Sequence, residues 1–297
     1  MSGNPSLPSD IAGMTKAAPL SRRCFMTAAA AAAAGYTIAA GEVRAEAIHT
    51  DASGLDAGDA RIAVAGGEMP AYFARPKGIA KPPVVLVGME IFGLHEYIED
   101  VVRRLARLGA FAVAPDYYFR MGQDLTKFKD FKAIMPIVNA KPDAELVSDL
   151  DAAAAWAGGQ GGDTSRLGMV GFCRGGRSVW VYAAHSSALK AGVAFYGSLV
   201  DPESPPNPAW PKSPMELAPE MKAPVLGLYG EADQGIPVAQ VEEMKAALKA
   251  AGKTAGFKIY PNAPHAFHAD YRPSFRQEAA EDAWKQMEAW FKKFGVL

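Results

Sequence analysis

The sequence predicts an α/β fold, in which a mostly parallel, doubly wound sheet carries helices on both faces. Short, continuous apolar runs recur along the chain and are bounded by turn residues, as expected of strands buried on both faces. Segments with apolar residues at helical spacing alternate with these runs, which is the order that places helices on both sides of a parallel sheet. The chain has 297 residues, 49% of them hydrophobic, and so can bury a large core in one domain.

The predicted elements follow one another from residue 61 onward. A β-hairpin turns at Gly66 and Gly67, between strands over residues 61–65 and 69–75. Further strands are predicted over residues 83–87, 111–114, 167–170, 191–196, 224–229 and 257–260. Helices are predicted over residues 97–108, 143–156, 176–184, 238–251 and 275–294, and a glycine-rich linker over residues 158–162. The proline-rich residues 201–219 are predicted to form a long irregular loop. This loop and residues 121–142 could cover a site, although neither is long enough for a lid domain.

The first 47 residues have the order of features typical of an export signal. Residues 21–26, with Arg22 and Arg23 at their centre, resemble a twin-arginine motif, and residues 25–40 contain no charge. Small residues at Ala45 and Ala47 have the spacing that a signal peptidase recognises. We therefore expect export by the twin-arginine machinery, cleavage near Ile48 and a periplasmic or otherwise exported domain over residues 48–297. The alternative is an alanine-rich tail or an uncleaved anchor. The alanine-rich stretch is too short and weakly apolar for a stable membrane span.

Charge and cysteine content narrow the function classes. The 31 basic and 32 acidic residues are nearly balanced, so no nucleic-acid partner is expected. Of the two cysteines, Cys24 lies in the predicted signal and Cys173 in the predicted mature chain, which therefore cannot form an internal disulfide. We expect a monomer that needs no cofactor.

The stretch Gly171-Phe172-Cys173-Arg174-Gly175 predicts the chemistry. It lies between an apolar strand and a helix, and it matches the Gly-x-Ser-x-Gly pattern of the nucleophile elbow of α/β-hydrolases, with cysteine in place of serine. Flanking glycines tolerate the strained backbone that such a turn requires. The motif favours a nucleophilic Cys173 over a small, inert buried cysteine, which is the common fate of a free thiol.

A cysteine nucleophile needs a base and a group that orients the base. Asp233 and His265 follow later predicted strands, in the chain order nucleophile, acid, histidine that α/β-hydrolases use. Taken singly, Asp233 could form a turn and His265 could be a loop residue of no consequence. Glu231 is the second choice for the acid. The order and the loop positions together predict a Cys173–His265–Asp233 triad.

The chain resembles the dienelactone hydrolase family over residues 61–294. The resemblance is carried by residues 88–93 (Gly-Met-Glu-Ile-Phe-Gly), 115–118 (Pro-Asp-Tyr-Tyr), 171–176 (Gly-Phe-Cys-Arg-Gly-Gly), the Asp233 loop and 264–267 (Pro-His-Ala-Phe). It implies a hydrolase of carboxylic ester bonds, similar to carboxymethylenebutenolidase, that opens an ester or lactone through a thioester acyl-enzyme. It also implies that Glu90 lies beside the nucleophile and helps to activate it. The alternative for Glu90 is a surface carboxylate, although its apolar neighbours make an unpaired charge costly there.

The same arrangement predicts the groups around the substrate. The oxyanion hole is expected from the backbone N–H groups of Ile91 and Arg174. The family binds a substrate carboxylate with arginines, and Arg120 falls on one of those positions. The second family arginine is replaced by Ala269, so Arg272 is the candidate substitute. Both arginines could equally be solvated surface residues.

Tyr196 and His268 are weaker candidates. Tyr196 ends its predicted strand and could line the pocket, although packing is the commoner role of such a residue. The pair His265 and His268, without further clustered ligands, is weak evidence for a metal site, and none is predicted.

Three other functions stay open. The nearest is a general carboxylesterase or thioesterase with the same triad and no preference for a carboxylate. A non-catalytic binding or scaffold protein on this fold is the second. A periplasmic thiol redox protein is the least favoured, because the sequence has no Cys-x-x-Cys pair.

Overall fold

A computed structural model describes residues 47–128, 130–201 and 207–297. One sheet contains eight strands in the order β1-β2-β4-β3-β5-β6-β7-β8. The strands are β1 (Leu55–Val64), β2 (Gly67–Pro76), β3 (Pro83–Gly88), β4 (Phe111–Pro115), β5 (Asp163–Phe172), β6 (Leu189–Phe195), β7 (Val225–Gly230) and β8 (Ala255–Tyr260). β1 and β2 form the antiparallel hairpin, β2 pairs antiparallel with β4, and all other pairs are parallel. The predicted α/β fold is confirmed.

The strands β3, β4, β6 and β7 lie at the centre of the sheet and are almost wholly buried. All residues of β3, β4 and β7 are buried, as is all of β6 except Lys190. Such continuous burial is what a sheet covered on both faces imposes, and it is the origin of the apolar runs in the sequence.

In the described ranges of the chain, six α-helices pack around the sheet. They are α1 (Glu96–Arg107), α2 (Phe131–Ala140), α3 (Asp143–Gly159), α4 (Arg174–His185), α5 (Val238–Ala250) and α6 (Gln277–Lys293). Helix α3 extends through Gly158 and Gly159, so the predicted linker is shorter than expected. Helix α2 lies within residues 121–142, for which the sequence predicted no regular element. Its N-cap is Asp130, whose side chain accepts the N–H of Lys132, and the helix buries Ile134 and Val138.

The parallel arrangement gathers the predicted catalytic residues. Glu90 follows β3, Cys173 follows β5, Asp233 follows β7 and His265 follows β8. Because these strands run in the same direction, their carboxyl ends lie along one edge of the sheet, where open α/β folds place their sites.

The predicted export signal falls almost entirely on residues 1–46, which lie outside the described residues. In the part of the chain that is described, none of the helices has the length and apolar character needed to cross a membrane. The predicted loop over residues 201–219 is described at Asp201 and from residue 207 onward, where it contains turns and a short 3₁₀ helix that starts at Ala218.

Candidate active site

Cys173 occupies a sharp turn between β5 and α4. Its backbone has φ 55° and ψ −114°, a conformation that non-glycine residues rarely adopt, and its N–H donates to the carbonyl of Phe195 at 3.0 Å. The residue is only 4% exposed. The structure thus holds the Cys173 side chain at the apex of a strained strand-to-helix turn.

The glycines around Cys173 allow backbones to approach closely. A Cβ atom at Gly171 would overlap the carbonyl oxygen of Gly175, and a Cβ atom at Gly175 would overlap the carbonyl oxygen of Gly88. The first turn of α4 therefore rests directly on the ends of β3 and β5. This contact explains why the motif needs glycine at both positions.

His265 and Asp233 form a hydrogen-bonded pair. Asp233 Oδ2 lies 2.7 Å from His265 Nδ1, and Asp233 Oδ1 accepts the backbone N–H groups of Gly235 and Ile236 at 2.9 and 3.1 Å. These two backbone bonds fix the carboxylate and, through it, the imidazole. The alternative acid, Glu231, is exposed and accepts the N–H of Asn262 instead.

The pKa of His265 depends on its contact with Cys173. Burial alone would lower the pKa of the imidazole. The Asp233 carboxylate and the charge and hydrogen bonding of Cys173 outweigh burial, and they hold the pKa of His265 well above its usual range. The structure therefore brings Cys173, His265 and Asp233 together, in an arrangement that favours the imidazolium form.

The two predicted oxyanion donors lie on the loop after β3 and at the start of α4. Within the described residues, the N–H groups of Ile91 and Arg174 donate no backbone hydrogen bond. The loop after β3 is fixed by the Tyr117 hydroxyl, which donates to the Met89 carbonyl at 2.9 Å. The oxyanion-hole role of these two N–H groups stays a prediction.

Glu90 is a buried, paired carboxylate. It is 1% exposed, its Oε2 accepts the Tyr271 hydroxyl at 2.7 Å, and His95 Nε2 lies 3.5 Å from the same oxygen. Burial would raise the pKa of Glu90, but the positive charge of Arg272 and the contacts with His95 and Tyr271 outweigh it and lower the pKa to about 2. The surface alternative for Glu90 is wrong. The sequence analysis did not single out His95 or Tyr271, although both adjoin stretches that it quoted.

Arg272 lies inside the protein, against the loop after β3. It is 2% exposed, and its guanidinium carbon lies 4.4 Å from the ring centroid of Phe92 and 4.8 Å from that of Tyr271. Its charge acts on Glu90 and Cys173, and its pKa is raised even though burial opposes this. The surface alternative for Arg272 is therefore also wrong.

Arg120 is held in a structural ion-pair cluster. Its guanidinium forms two bonds with the Asp149 carboxylate, at 2.7 and 2.8 Å, and it also contacts Glu145 and the carbonyl of Ala65. The buried ammonium of Lys141 pairs with the same Asp149 at 2.6 Å. These bonds tie the β1–β2 turn to α3 and use the donors that a substrate carboxylate would need. The expected substrate contact of Arg120 stays a prediction, and it would require Arg120 to give up these ion pairs.

Tyr196 borders the triad. It is fully buried with φ 38°, and its ring centroid lies 5.1 Å from that of His265 and 5.4 Å from that of Phe267. Burial, with the nearby Tyr97 and Glu90, raises the pKa of its hydroxyl well above the usual value. The side chain thus packs the imidazole in place and carries a neutral hydroxyl beside Glu90.

His268 faces away from His265, into the core. Its Nδ1 lies 2.7 Å from the Tyr97 hydroxyl, and its ring packs against Phe172 and Trp284. Burial and the charge of Arg104 lower the pKa of His268 to about 3, so the ring is neutral. The two histidines therefore have separate partners.

Comparisons with known proteins identify the family of the chain. The model of the Dienelactone hydrolase family matches residues 69–295. A Methylorubrum extorquens protein named "Putative carboxymethylenebutenolidase" is 50% identical over 289 residues, which cover 97% of this chain and 98% of the relative. A protein of the same name from Escherichia coli K12 is 46% identical over 263 residues, 88% of this chain and 96% of the relative. A crystal structure from Klebsiella pneumoniae, described as "Putative Dienelactone Hydrolase", has a TM-score of 0.77 and 48% identity, and the match covers 81% of this chain and 99% of that one. The chain is a hydrolase of the α/β-hydrolase fold and belongs to the dienelactone hydrolase family.

Proposed function

We propose that this hydrolase opens an ester or lactone with Cys173 as its nucleophile, through a thioester acyl-enzyme intermediate. The observation that carries the proposal is the strained position of Cys173 next to an imidazole whose pKa is raised by both Asp233 and Cys173. An inert buried cysteine would need neither the backbone strain nor the paired histidine.

In the acylation step, His265 takes the proton of Cys173 and the sulfur forms a bond with the substrate carbonyl carbon. The developing oxyanion accepts the N–H groups of Ile91 and Arg174. The carbon–oxygen bond then breaks, and His265 gives its proton to the departing alkoxide. For a lactone the alkoxide stays attached to the acyl group, so the intermediate is a hydroxyacyl thioester.

In the deacylation step, His265 takes a proton from water, and the resulting hydroxide adds to the thioester carbonyl. The carbon–sulfur bond breaks, the sulfur recovers its proton from His265, and the carboxylic acid leaves. Asp233 keeps the imidazole in one orientation throughout and stabilises the imidazolium that forms twice in each turnover.

Glu90 is proposed to assist the activation of Cys173. With a pKa of about 2 it is ionised and paired, so it cannot hold a proton at neutral pH in the arrangement described. To relay the thiol proton to His265, Glu90 must first exchange the Tyr271 hydroxyl and the charge of Arg272 for contact with the sulfur. Substrate binding next to Arg272 is the event that would release it.

A general carboxylesterase with the same triad is the second candidate. It is favoured by the engagement of Arg120 with Asp149 and by Ala269 at the second family arginine position, which leave the two expected carboxylate contacts unfilled. The choice between this general esterase and an enzyme selective for anionic substrates depends on whether another cation binds the substrate carboxylate.

The proposed mechanism is tested with Cys173→Ala. We expect turnover of a p-nitrophenyl ester to fall by at least about 10³-fold, because the remaining groups cannot form the acyl-enzyme. Mass spectrometry of wild-type protein quenched in acid during turnover should find the acyl group on the peptide that contains Cys173. Cys24→Ser is the matched control and should keep full activity. A fully active Cys173→Ala variant would overturn the mechanism.

A further inference from the structure

Arg174 carries a buried positive charge that lacks a carboxylate partner. The residue is 8% exposed, at the first position of α4 directly after Cys173. In the described part of the chain its guanidinium makes no ion pair, and its charged form is disfavoured by burial and by the neighbouring Arg177, which lower its pKa. A buried guanidinium without a counter-ion is costly.

The neighbouring carboxylates are already used by Arg177. That guanidinium forms two bonds with Asp143, at 2.7 and 2.9 Å, and two with Asp201, both at 2.8 Å. Each carboxylate is held in a paired geometry that matches one edge of the guanidinium. Arg174 lies one turn earlier in the helix and therefore interacts with both carboxylates only through longer-range electrostatics.

Trp210 fixes the direction of the Arg174 side chain. The guanidinium carbon of Arg174 lies 3.7 Å from the centroid of the indole ring, which is a cation–π contact. The indole is itself anchored, because its Nε1 donates to the carbonyl of Lys141 at 2.9 Å. This stacking covers one face of the guanidinium and leaves its edge, where the Tyr118 hydroxyl is hydrogen-bonded, for contact with another molecule.

The Tyr118 hydroxyl is hydrogen-bonded to Arg174, and it lies close enough to Cys173 for that residue to affect its pKa. Tyr118 is 1% exposed, and burial raises the pKa of its hydroxyl to about 12, an effect that Arg174 opposes and Cys173 reinforces. The phenol is thus close to both residues and keeps its proton at neutral pH. Together the Arg174 guanidinium and the Tyr118 hydroxyl form a set of donors beside the nucleophile.

We propose that the Arg174 side chain, with the Tyr118 hydroxyl, binds a carboxylate of the substrate and so makes the enzyme selective for anionic esters or lactones. The proposal rests on the function proposed above. A carboxylate would supply the counter-ion that Arg174 lacks, and it would hold the scissile carbonyl within reach of Cys173. Arg174 would then have two roles, with its backbone N–H at the oxyanion and its side chain at the substrate carboxylate. Arg120, occupied by Asp149, would have neither.

The test compares two substrates that differ in one charge, mono-p-nitrophenyl succinate and its methyl ester. The quantity measured is the ratio of kcat/KM for the anionic substrate to that for the neutral one. In Arg174→Gln we expect this ratio to fall at least about 10-fold, because a charged hydrogen bond to the carboxylate is lost. In Arg174→Lys the fall should be smaller, because the charge remains. Arg120→Gln is the matched control and should keep the wild-type ratio.

Tyr118→Phe keeps the ring and removes only the hydroxyl. It therefore tests the proposed carboxylate site if the Arg174 variants do not fold. A ratio several-fold below that of wild type would support the proposal. An unchanged ratio in active Arg174→Gln, or in Tyr118→Phe when Arg174→Gln is unfolded, would overturn it. Cys173→Ala separates the two proposals. If Cys173→Ala keeps its activity, the proposed mechanism is wrong. If Cys173→Ala is inactive but Arg174→Gln leaves the ratio of anionic to neutral kcat/KM unchanged, only the proposed carboxylate site is wrong.

Discussion

Two opposing effects set the pKa of the His265 imidazole: burial lowers it, and the negative charge of its partners raises it. Burial favours the neutral ring, and the Asp233 carboxylate at 2.7 Å is the largest influence in the other direction. His265 therefore binds its proton more tightly in the folded than in the unfolded chain. The resulting stabilisation is complete below about pH 6.5, the usual pKa of histidine, and is lost as pH rises through the folded-state pKa.

Asp233→Asn removes this charge while keeping the shape of the side chain. We expect the pKa of His265 to fall, because the largest influence that raises it is removed, and kcat to fall by about 10³- to 10⁴-fold because the imidazole loses its orienting partner. The pKa is measured by an NMR titration of the imidazole protons. Glu231→Gln removes the competing carboxylate and should leave the pKa unchanged. If Glu231→Gln lowered the pKa and Asp233→Asn did not, the assignment of the acid would be reversed.

At the scale of elements, the contact between α4 and the two central strands positions the nucleophile. The helix begins at Arg174, and its first turn lies so close to β3 and β5 that there is no room for a side chain at Gly171 or Gly175. The strained backbone of Cys173 is maintained by this contact and by its bond to Phe195.

Gly175→Ala should therefore destabilise the protein. The new methyl group would collide with the backbone of Gly88, which cannot move without displacing β3, and we expect a loss of at least about 3 kcal/mol in the free energy of unfolding. Urea denaturation measures the loss. Gly159→Ala, at the end of α3 where no atom lies within 4 Å of the added methyl group, should instead change stability by between zero and about 1 kcal/mol in the favourable direction. Equal effects of the two substitutions would contradict the packing argument.

The sequence predicted best those elements whose burial leaves a recognisable pattern of apolar residues. The buried strands were predictable because burial on both faces leaves a continuous apolar run in β3, β4 and β7. Helix α2 was not, because Pro136 in its interior is the residue least typical of a helix.

The placement of the arginines could not be predicted, because it depends on partners far along the chain. Arg120 is paired with Asp149, which lies on α3, and nothing near residue 120 in sequence indicates this. Arg174 is covered by Trp210 from a loop that is only partly regular. Motif order predicted which residue types approach Cys173, but their charges are balanced by contacts that only the folded chain brings together.

At the scale of the whole molecule, the active site forms only when the whole sheet has folded. Glu90 and His265 are far apart in the sequence, and the catalytic groups follow four separate strands. We propose that the protein folds before it leaves the cytoplasm and is exported by the twin-arginine machinery, as the residues around Arg22 and Arg23 predict.

Replacing both Arg22 and Arg23 by Lys should keep the full-length precursor in the cytoplasm of a bacterial host that has twin-arginine export, because the machinery recognises the arginine pair. Cell fractionation with detection of the protein and its length measures the outcome. Arg44→Lys alters an arginine of the same segment outside the pair and should leave export intact. Export of the double variant at the wild-type level would contradict the prediction.

The buried thiol of Cys173 is the only sulfhydryl after residue 24. In a chain cleaved near residue 48, the uptake of one equivalent of a substrate-like electrophile would therefore count competent active centres directly. Specific activities of different preparations and variants could then be expressed per working enzyme molecule rather than per milligram of protein.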